Sequence, residues 1–357
     1  MKHFAKDYSH AREMFLHAAK QRGAQRETHE SEYVGFEGEK LYTDTALLAK
    51  GDEKILLVIT SATHGVEGFA GSAIQTGLLR EGFPQELTAG IAVLMIHAVN
   101  PYGFSHLRRF NEKNIDINRN FVNHPFTYPN NTGHAYFKKV LAPEKLNFLL
   151  NIRLILKILF FYLHHGAKVL FQAIGCGQNT FPKSLYYGGT TDSWSTGIIK
   201  SVVKTHAASV ETLTIVDFHT GIGRFGKADI LIDSGHPCAY SRAKRWWPNF
   251  NVPDNTNKAK ITGSLTNKLF DMFPEKTVTA ATIEFGTQYW WQKLSLISLF
   301  ALRNENWLFH FGGDNHPDYK KIKRKLKNCF SPDNKQWQSK VWDQGRKIVF
   351  DALKGMQ

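Results

Sequence analysis

Residues 54–67, KILLVITSATHGVE, decide the fold class of this chain. Residues 54–60 form a short, continuous apolar run, which is typical of a buried parallel strand. A helix is predicted from about residue 67 to residue 79, because Gly82 and Pro84 follow it. Residues 90–97, GIAVLMIH, form a second apolar run. Strand, helix and strand in this order predict a βαβ unit.

The rest of the chain repeats this pattern and predicts one α/β domain over residues 1–357. We expect a mixed, mostly parallel sheet between helices, with an N-terminal helical cap over about residues 1–30 and a helical insert over about residues 140–190. Further buried strands are predicted at residues 212–218, 228–233 and 277–285, and further helices at residues 193–208, 263–273, 290–311 and 335–353.

The composition is that of an ordinary globular protein. Of 357 residues, 42% are apolar and 21% are charged, which excludes disordered and collagen-like classes. The three cysteines, Cys176, Cys238 and Cys329, include no CxxC pair, which excludes a thiolate zinc ribbon. Sparse cysteines fit a reducing compartment, and the charged N-terminal stretch does not resemble a secretory signal. We therefore expect a cytoplasmic protein.

The chain is basic: Lys and Arg outnumber Asp and Glu by 45 to 31, a formal net charge of +14. This balance permits binding to nucleic acid or to a membrane surface, and it also suits an enzyme with anionic substrates. The one dense basic run, residues 320–327, has helical spacing and is interpreted as a solvated helix face. We therefore expect no nucleic-acid partner.

Residues 144–174 form a long apolar segment. Arg153, Lys157, His164 and His165 interrupt it, so no stretch of 18 uncharged apolar residues remains. We favour a long helix packed on the sheet and expect no membrane span. A helix that lies on a membrane surface is the alternative.

His64 and Glu67 directly follow the first buried strand. In a doubly wound fold, ligands bind beyond the carboxyl ends of the strands. Imidazole nitrogen and carboxylate oxygen are both good zinc ligands, and Gly65 lets the backbone bend between them. The pair indicates a metal site. The alternative is a helix-capping Glu beside a surface His.

His219 lies at the end of the third buried strand. Two His and one Glu would leave the fourth position of a zinc ion open, as catalytic sites require. Asp217 shares a strand face with His219 and could orient a ligand from behind. The alternative is a His that ends a strand and binds nothing.

Glu284 ends the fifth predicted strand, at the same edge of the sheet. A carboxylate beside an activated water acts first as general base and then as proton donor. The alternative is an ion pair with a nearby Arg or Lys.

Residues 108–121, RRFNEKNIDINRNF, form a polar loop. Asn118 and Arg119 suit a substrate carboxylate, which guanidinium binds bidentately, and an earlier arginine could stabilise an oxyanion. Nucleic-acid binding is the alternative, but Glu112 and Asp116 dilute the charge. The sequence contains no GxSxG, Walker or HExxH motif.

In combination, these motifs resemble the zinc carboxypeptidase superfamily, which includes the aspartoacylase and succinylglutamate desuccinylase branch. From about residue 30 to residue 312, the chain is most similar to a bacterial branch of unknown function. The motifs that carry the resemblance are HxxE at 64–67, NP at 100–101, LRRFNE at 107–112, NIDINRNF at 114–121, GQNT at 177–180, YGG at 187–189, WS at 194–195, DxH at 217–219 and the strand-end Glu284.

The resemblance implies a mixed eight-stranded sheet and one Zn²⁺ ion. It also implies roles for individual residues: His64, Glu67 and His219 as metal ligands, Glu284 as catalytic carboxylate, Arg109 or Arg108 as the carbonyl-polarising arginine, Asn118, Arg119 and Arg108 as substrate-binding residues, and Tyr240 or Tyr289 as a mobile tyrosine.

The predicted function is zinc-dependent hydrolysis of amide bonds, by a carboxypeptidase acting on small peptides or other substrates with a free carboxylate. The first alternative is a deacylase or amidase acting on N-acyl amino acids. The second is a non-catalytic basic protein that binds polyanions or a membrane surface. The sequence indicates no oligomeric state.

Overall fold

The computed structural model describes residues 2–84, 90–125, 131–232, 237–254, 259, 261–288 and 296–357. Within these residues, seven strands form one sheet in the order β1-β2-β4-β3-β5-β7-β6. The strands are β1 (Gln25–Val34), β2 (Lys40–Leu48), β3 (Ile55–Thr60), β4 (Ile91–His97), β5 (Thr212–Arg224), β6 (Ala228–Ile232) and β7 (Thr277–Gln288).

The predicted α/β class with a mixed sheet is confirmed. The four strands β4, β3, β5 and β7 are parallel neighbours, whereas β1, β2 and β6 join the sheet through antiparallel pairs. Parallel pairing is therefore found at the centre of the sheet, and antiparallel pairs are found towards its two edges. The described part of the chain has one strand fewer than the eight that the resemblance implies.

Helices cover both faces of the sheet. They are α1 (Tyr8–Gln21), α2 (Gly68–Glu81), α3 (Pro101–Ser105), α4 (Ile117–Asn120), α5 (Thr132–Leu141), α6 (Phe148–Gly175), α7 (Trp194–Ala207), α8 (Pro237–Trp246), α9 (Leu265–Asp271), α10 (Leu296–Trp307), α11 (Tyr319–Phe330) and α12 (Lys335–Met356). One core contains α1, α2, α8 and α12, and the other contains α7 and α9. Burial on both faces explains why the central strands are continuous apolar runs.

The helical cap predicted over residues 1–30 is shorter than expected. Helix α1 occupies Tyr8–Gln21, and strand β1 begins at Gln25. Strand β1 is an edge strand with one buried residue, Ser31. Its polar sequence lacks the hydrophobic alternation by which a strand is recognised, so the pattern alone did not separate it from the helix.

The prediction that residues 144–174 pack on the sheet is wrong. Helix α6 lies beside α5, joins a separate hydrophobic cluster and buries only a narrow seam, which includes Leu154 and Phe161. A kink at Gly166, with φ of 76°, interrupts it. Among the described helices, α6 is the one that is long and apolar enough to cross a bilayer, by length and composition.

The turn after β3 brings its residues close to the backbone of α3. A side chain on Gly65 would place its Cβ 1.9 Å from the carbonyl carbon of Gly103. Gly65 is therefore required because two backbone segments approach each other closely here, and not because of an unusual backbone angle.

Replacing Gly65 with Ala tests this close approach. We expect a loss of about 2–4 kcal/mol in the free energy of unfolding, because the clashing atoms are backbone and cannot turn away. Gly197→Ala in α7 is the matched control, since its Cβ would meet nothing within 4 Å. Urea denaturation should show the control unchanged or stabilised by up to about 1 kcal/mol. Equal stability of both variants would contradict the packing argument.

His97 gives the fold a defined acid sensitivity. Its ring is fully buried, stacks on Phe15 with centroids 4.6 Å apart, and shares a hydrogen bond with Ser72. Burial lowers the pKa of His97 to about 4. The unfolded chain binds a proton below about pH 6.5 that the folded chain does not, so stability falls as the pH drops from 6.5 to 4.

Replacing His97 with Gln should reduce the loss of unfolding free energy between pH 6.5 and pH 4 by about 3 kcal/mol. Chemical denaturation at a series of pH values measures this slope. The same change at the exposed His17 serves as control and should leave the slope unaltered. A slope that is the same in the His97 variant and the wild type would show that His97 is not the group responsible.

Candidate metal centre

Three side chains converge at the carboxyl edge of the parallel strands. Thr60, the last residue of β3, is paired with Asp217 of β5, so the turn that follows β3 reaches the residues that follow Asp217. His64 lies in this turn, Glu67 ends the 3₁₀ turn that leads into α2, and His219 is on β5. All three side chains are buried.

The ligand atoms of these residues face one another. Nδ1 of His64 is 2.9 Å from Oε1 of Glu67, and Nδ1 of His219 is 3.1 Å from Oε2. The two Nδ1 atoms are 3.1 Å apart. Among the described residues, these three form the one His, Cys, Asp and Glu cluster that could hold a metal ion.

Two buried carboxylates hold the imidazole rings from behind. Nε2 of His64 donates to Asp116 at 3.1 Å, and Nε2 of His219 donates to Asp217 at 2.5 Å. An ionised carboxylate can only accept, so each ring carries its proton on Nε2. In the neutral ring, Nδ1 then offers a lone pair to the centre of the cluster. The predicted orienting role of Asp217 matches this geometry.

Asp217 is itself fixed on its second oxygen. The hydroxyls of Thr60 and Thr63 donate to Oδ1 at 2.7 and 2.8 Å. Burial disfavours the ionised carboxyl, but His219 and these two hydroxyls together keep the pKa of Asp217 below its usual value. The carboxylate is therefore charged and held in one orientation.

Asp116 was not predicted as a site residue. Its oxygens accept from His64, from Nε of Arg109 at 3.0 Å and from the backbone of Asn118 at 3.0 Å. Burial opposes its ionisation, but the charge of Arg109 holds the pKa of Asp116 well below its usual range. The one feature of the sequence that pointed to Asp116 was its place two residues before Asn118-Arg119.

The cluster attracts positive charge. Burial alone would lower the pKa of His219, but Asp217 and Glu67 raise it well above its usual value. Burial would likewise raise the pKa of Glu67, yet the two histidines lower it. Of the three buried carboxylates, Asp116 and Glu67 share one cation, the guanidinium of Arg109. The remaining negative charge favours a further cation between the rings, which is either a proton or a metal ion.

Glu284 lies on β7, directly beside His219 in the strand register. The backbone N–H of Ile222 donates to its Oε1 at 2.9 Å. Burial, together with the negative charge of Glu67, raises the pKa of Glu284 to about 7. The structure therefore places this carboxylate beside the cluster, in an environment that favours proton exchange near neutral pH.

The two consecutive arginines of the loop, Arg108 and Arg109, contact different parts of the protein. Nη1 of Arg109 is 3.2 Å from Glu67, and its Nε binds Asp116. Arg108 instead forms an ion pair with Glu305 at 3.0 Å and lies over the ring of Phe309. The structure thus brings Arg109 to the cluster, whereas the contacts of Arg108 belong to a separate buried network.

Asn118 and Arg119 lie next to Asp116 but have structural partners. Oδ1 of Asn118 accepts from the backbone of Leu265 at 2.8 Å. Nη2 of Arg119 donates to the carbonyl of Gly175 at 2.7 Å, and Nη1 donates to the carbonyl of Asn118 at 2.7 Å. Both side chains are buried and fix the loop to α9 and to the end of α6.

A tyrosine that was not selected from the sequence lies between the site arginines. The ring of Tyr186 is 5.3 Å from the guanidinium of Arg109 and 5.8 Å from that of Arg119. Tyr240, by contrast, is on α8, donates to the backbone carbonyl of Val252 and packs against the core that contains α8. The other predicted tyrosine, at position 289, lies outside the described residues. The sequence signal for Tyr186 was its place just before Tyr-Gly-Gly.

The role of the carboxylates that bind the imidazole rings can be tested by measuring zinc affinity. We expect Asp217→Asn to weaken zinc binding by about 10–100-fold, because an amide no longer fixes the Nε2 proton of His219. Competition with a chromophoric chelator measures the affinity. Asp343→Asn, an exposed change on α12, is the control and should bind zinc as the wild type does. Unchanged affinity in Asp217→Asn would exclude a role for this carboxylate in holding a metal ligand.

Several solved structures are similar to this chain. Bovine thrombin-activatable fibrinolysis inhibitor, in complex with tick carboxypeptidase inhibitor, has a TM-score of 0.49 and 12% identity, over 91% of this chain and 98% of that one. A metallo-carboxypeptidase from Burkholderia cenocepacia has a TM-score of 0.48 and 11% identity, over 96% and 67%. Carboxypeptidase A from Helicoverpa armigera has a TM-score of 0.47 and 13% identity, over 96% and 74%. Similarities at this level carry no information on substrate.

No curated protein sequence matches the chain. A family model described as a protein of unknown function, DUF2817, matches residues 4–344. Since the match covers almost the whole sequence, the chain belongs to the DUF2817 family.

Proposed function

We propose that this protein is a zinc-dependent hydrolase of amide bonds, and that it acts as a carboxypeptidase on peptides with a free carboxylate. One observation carries the proposal: two imidazole Nδ1 atoms and the carboxylate of Glu67 face one another, while both Nε2 atoms are bound to carboxylates. The motif order described above supports the same function.

The three residues fit a zinc ion. Ligand bonds of 2.0–2.2 Å in a tetrahedron separate the ligand atoms by about 3.3 Å. The two Nδ1 atoms here are 3.1 Å apart, and each is 2.9 or 3.1 Å from its nearer oxygen of Glu67, which is Oε1 for His64 and Oε2 for His219. With one ligand atom from each residue, the three atoms lie within 4.8 Å of one another. His64, Glu67 and His219 would hold the ion and leave its fourth position open. When bound, zinc supplies Lewis acidity towards water and towards a carbonyl oxygen.

Glu284 is the proposed general base. Its carboxylate accepts a proton from the attacking water and then returns that proton to the leaving amine. The raised pKa of Glu284 suits both steps, because the group gains and loses a proton near neutral pH. The N–H of Ile222 fixes one of its oxygens and leaves the other to exchange the proton.

Arg109 is the proposed oxyanion-stabilising residue. Its guanidinium is held beside Glu67 by Asp116, so its charge is already oriented before substrate binds. Asn118 and Arg119 are proposed to bind the substrate carboxylate, and the ring of Tyr186 lies 5.8 Å from the guanidinium of Arg119.

A deacylase or amidase is the second candidate, and the contacts of Arg119 favour an amide that needs no carboxylate at this position. Both terminal nitrogens of this guanidinium already donate to backbone carbonyls. A carboxylate beside the scissile amide, in a peptide or in an N-acyl amino acid, would have to share these donors, whereas an amide without that carboxylate would not. Rates on free peptides, on carboxyl-terminally amidated peptides and on N-acyl amino acids, measured with one enzyme preparation, separate the two candidates.

Glu284→Gln tests the proposed chemistry. We expect zinc content to remain near that of the wild type, while the rate of amide hydrolysis falls by about 10²–10⁴-fold, because a general base is lost without a metal ligand. Elemental analysis and mass-spectrometric assay of a peptide mixture provide the two readouts. His64→Ala should lose both zinc and activity. Glu27→Gln, an exposed change on β1, should lose neither.

Two results would contradict the proposal. Zinc-loaded wild type that cleaves none of the three substrate classes would remove the hydrolase function and favour a non-catalytic binding protein. A Glu284→Gln variant with wild-type activity would show that another residue is the base.

A further inference from the structure

Helix α6 is apolar on its inner side and on its outer side. Its inner seam, with Leu154 and Phe161, packs against Phe137 of α5. Its outer side is also apolar, and six large side chains there are 51–75% exposed: Phe148, Leu149, Leu156, Leu159, Phe160 and Leu163. A helix on the surface of a water-soluble domain usually carries polar residues on this side.

The exposed residues form one continuous surface. Leu159 and Phe160 are three and four positions after Leu156, and Leu163 is four and three positions after them, so these side chains are neighbours along the helix. Single exposed apolar residues are common on proteins, but a contiguous apolar stripe indicates a surface that binds an apolar partner. We call these six residues the outer face of α6.

The charge around the outer face indicates what the partner is. From residue 117 to residue 191, the sequence has one acidic residue, Glu144, and eight Lys or Arg. Lys145, Arg153 and Lys168 belong to or adjoin α6 and are exposed. An apolar face flanked by cations matches the surface of an anionic phospholipid bilayer, which presents acyl chains beneath negative headgroups.

We infer that the outer face of α6 docks this protein on anionic phospholipid membranes, with the helix lying in the plane of the interface. The buried seam and the hydrogen bond from Arg119 to the carbonyl of Gly175 hold α6 to the rest of the domain. A helix that spanned the bilayer would have to break these contacts. A second copy of the chain would bring its own basic segment against the first, which is unfavourable for two equal charges.

Docking through α6 also places the candidate metal centre close to the membrane-binding helix. Gly175 ends α6 and contacts Arg119, which lies beside the residues that hold His64. The candidate metal centre is therefore connected to the membrane-binding helix through a few residues. Membrane binding and hydrolysis are nevertheless separate properties, and either can fail without the other.

Sedimentation with vesicles tests the inference on the full chain. The wild type should bind vesicles that contain phosphatidylglycerol, bind vesicles of phosphatidylcholine alone weakly, and dissociate as salt is raised. The triple change Leu156→Gln, Leu159→Gln and Leu163→Gln should lower the partition coefficient about tenfold or more. Because these side chains point outward, the thermal midpoint should stay within a few degrees of the wild type.

Two further variants act as controls. Val34→Gln replaces a 58% exposed apolar residue on β1, far along the sequence from α6, and should bind as the wild type does. The combination Lys145→Gln, Arg153→Gln and Lys168→Gln keeps the apolar face and should lose the preference for phosphatidylglycerol. This charge variant keeps the test decisive if the leucine variant does not fold.

Four results would overturn the inference. Wild type that stays in the supernatant with phosphatidylglycerol vesicles excludes membrane docking, and so does a folded leucine variant that binds as tightly as the wild type. Protein that stays with the membrane after extraction with alkaline carbonate spans it. A concentration-dependent dimer in light scattering that disappears in the leucine variant shows that a second copy covers α6.

Discussion

Two hydrogen bonds from imidazole to buried carboxylate control the candidate metal centre. Asp116 and Asp217 each fix the Nε2 proton of one histidine, so both rings present Nδ1 to the same point. Without these carboxylates, each ring could turn over or place its proton on Nδ1, and the two rings could no longer act together on one ion. Asp116 also binds Nε of Arg109, so the same carboxylate orients this guanidinium.

The fold brings Asp217 and Glu284 to the site because parallel strands end together. Strand β3 stops beside Asp217, and the pairing of β5 with β7 places Glu284 beside His219. The close approach of Gly65 to α3 then turns the chain so that Glu67 returns to the cluster. The register of the sheet and the glycine at position 65 thus bring together His64 and Glu284, which are more than 200 positions apart in the sequence.

The parts of this structure that depend on local sequence patterns could be predicted from the sequence. Buried strands are continuous apolar runs, and residues directly after them lie at one edge, so His64, His219 and Glu284 could be placed together. Asp116 and Tyr186 were missed because their roles depend on contacts between distant loops. The exposure of α6 was missed for a different reason: an apolar sequence indicates that a helix will be buried, but it does not name the partner that buries it.

The buried network around Arg108 extends the site well beyond the metal ligands. Glu305 on α10 is shared by Arg108 and by Lys323 on α11, so a single carboxylate balances two buried cations. Because Arg109 is the next residue in the chain, the backbone that carries it is anchored to α10 and α11. Substitutions on these helices can therefore alter the position of Arg109 without touching the metal centre. Changes in α10 and α11 during evolution would therefore alter substrate preference through the position of Arg109. The metal ligands and Glu284 would stay the same.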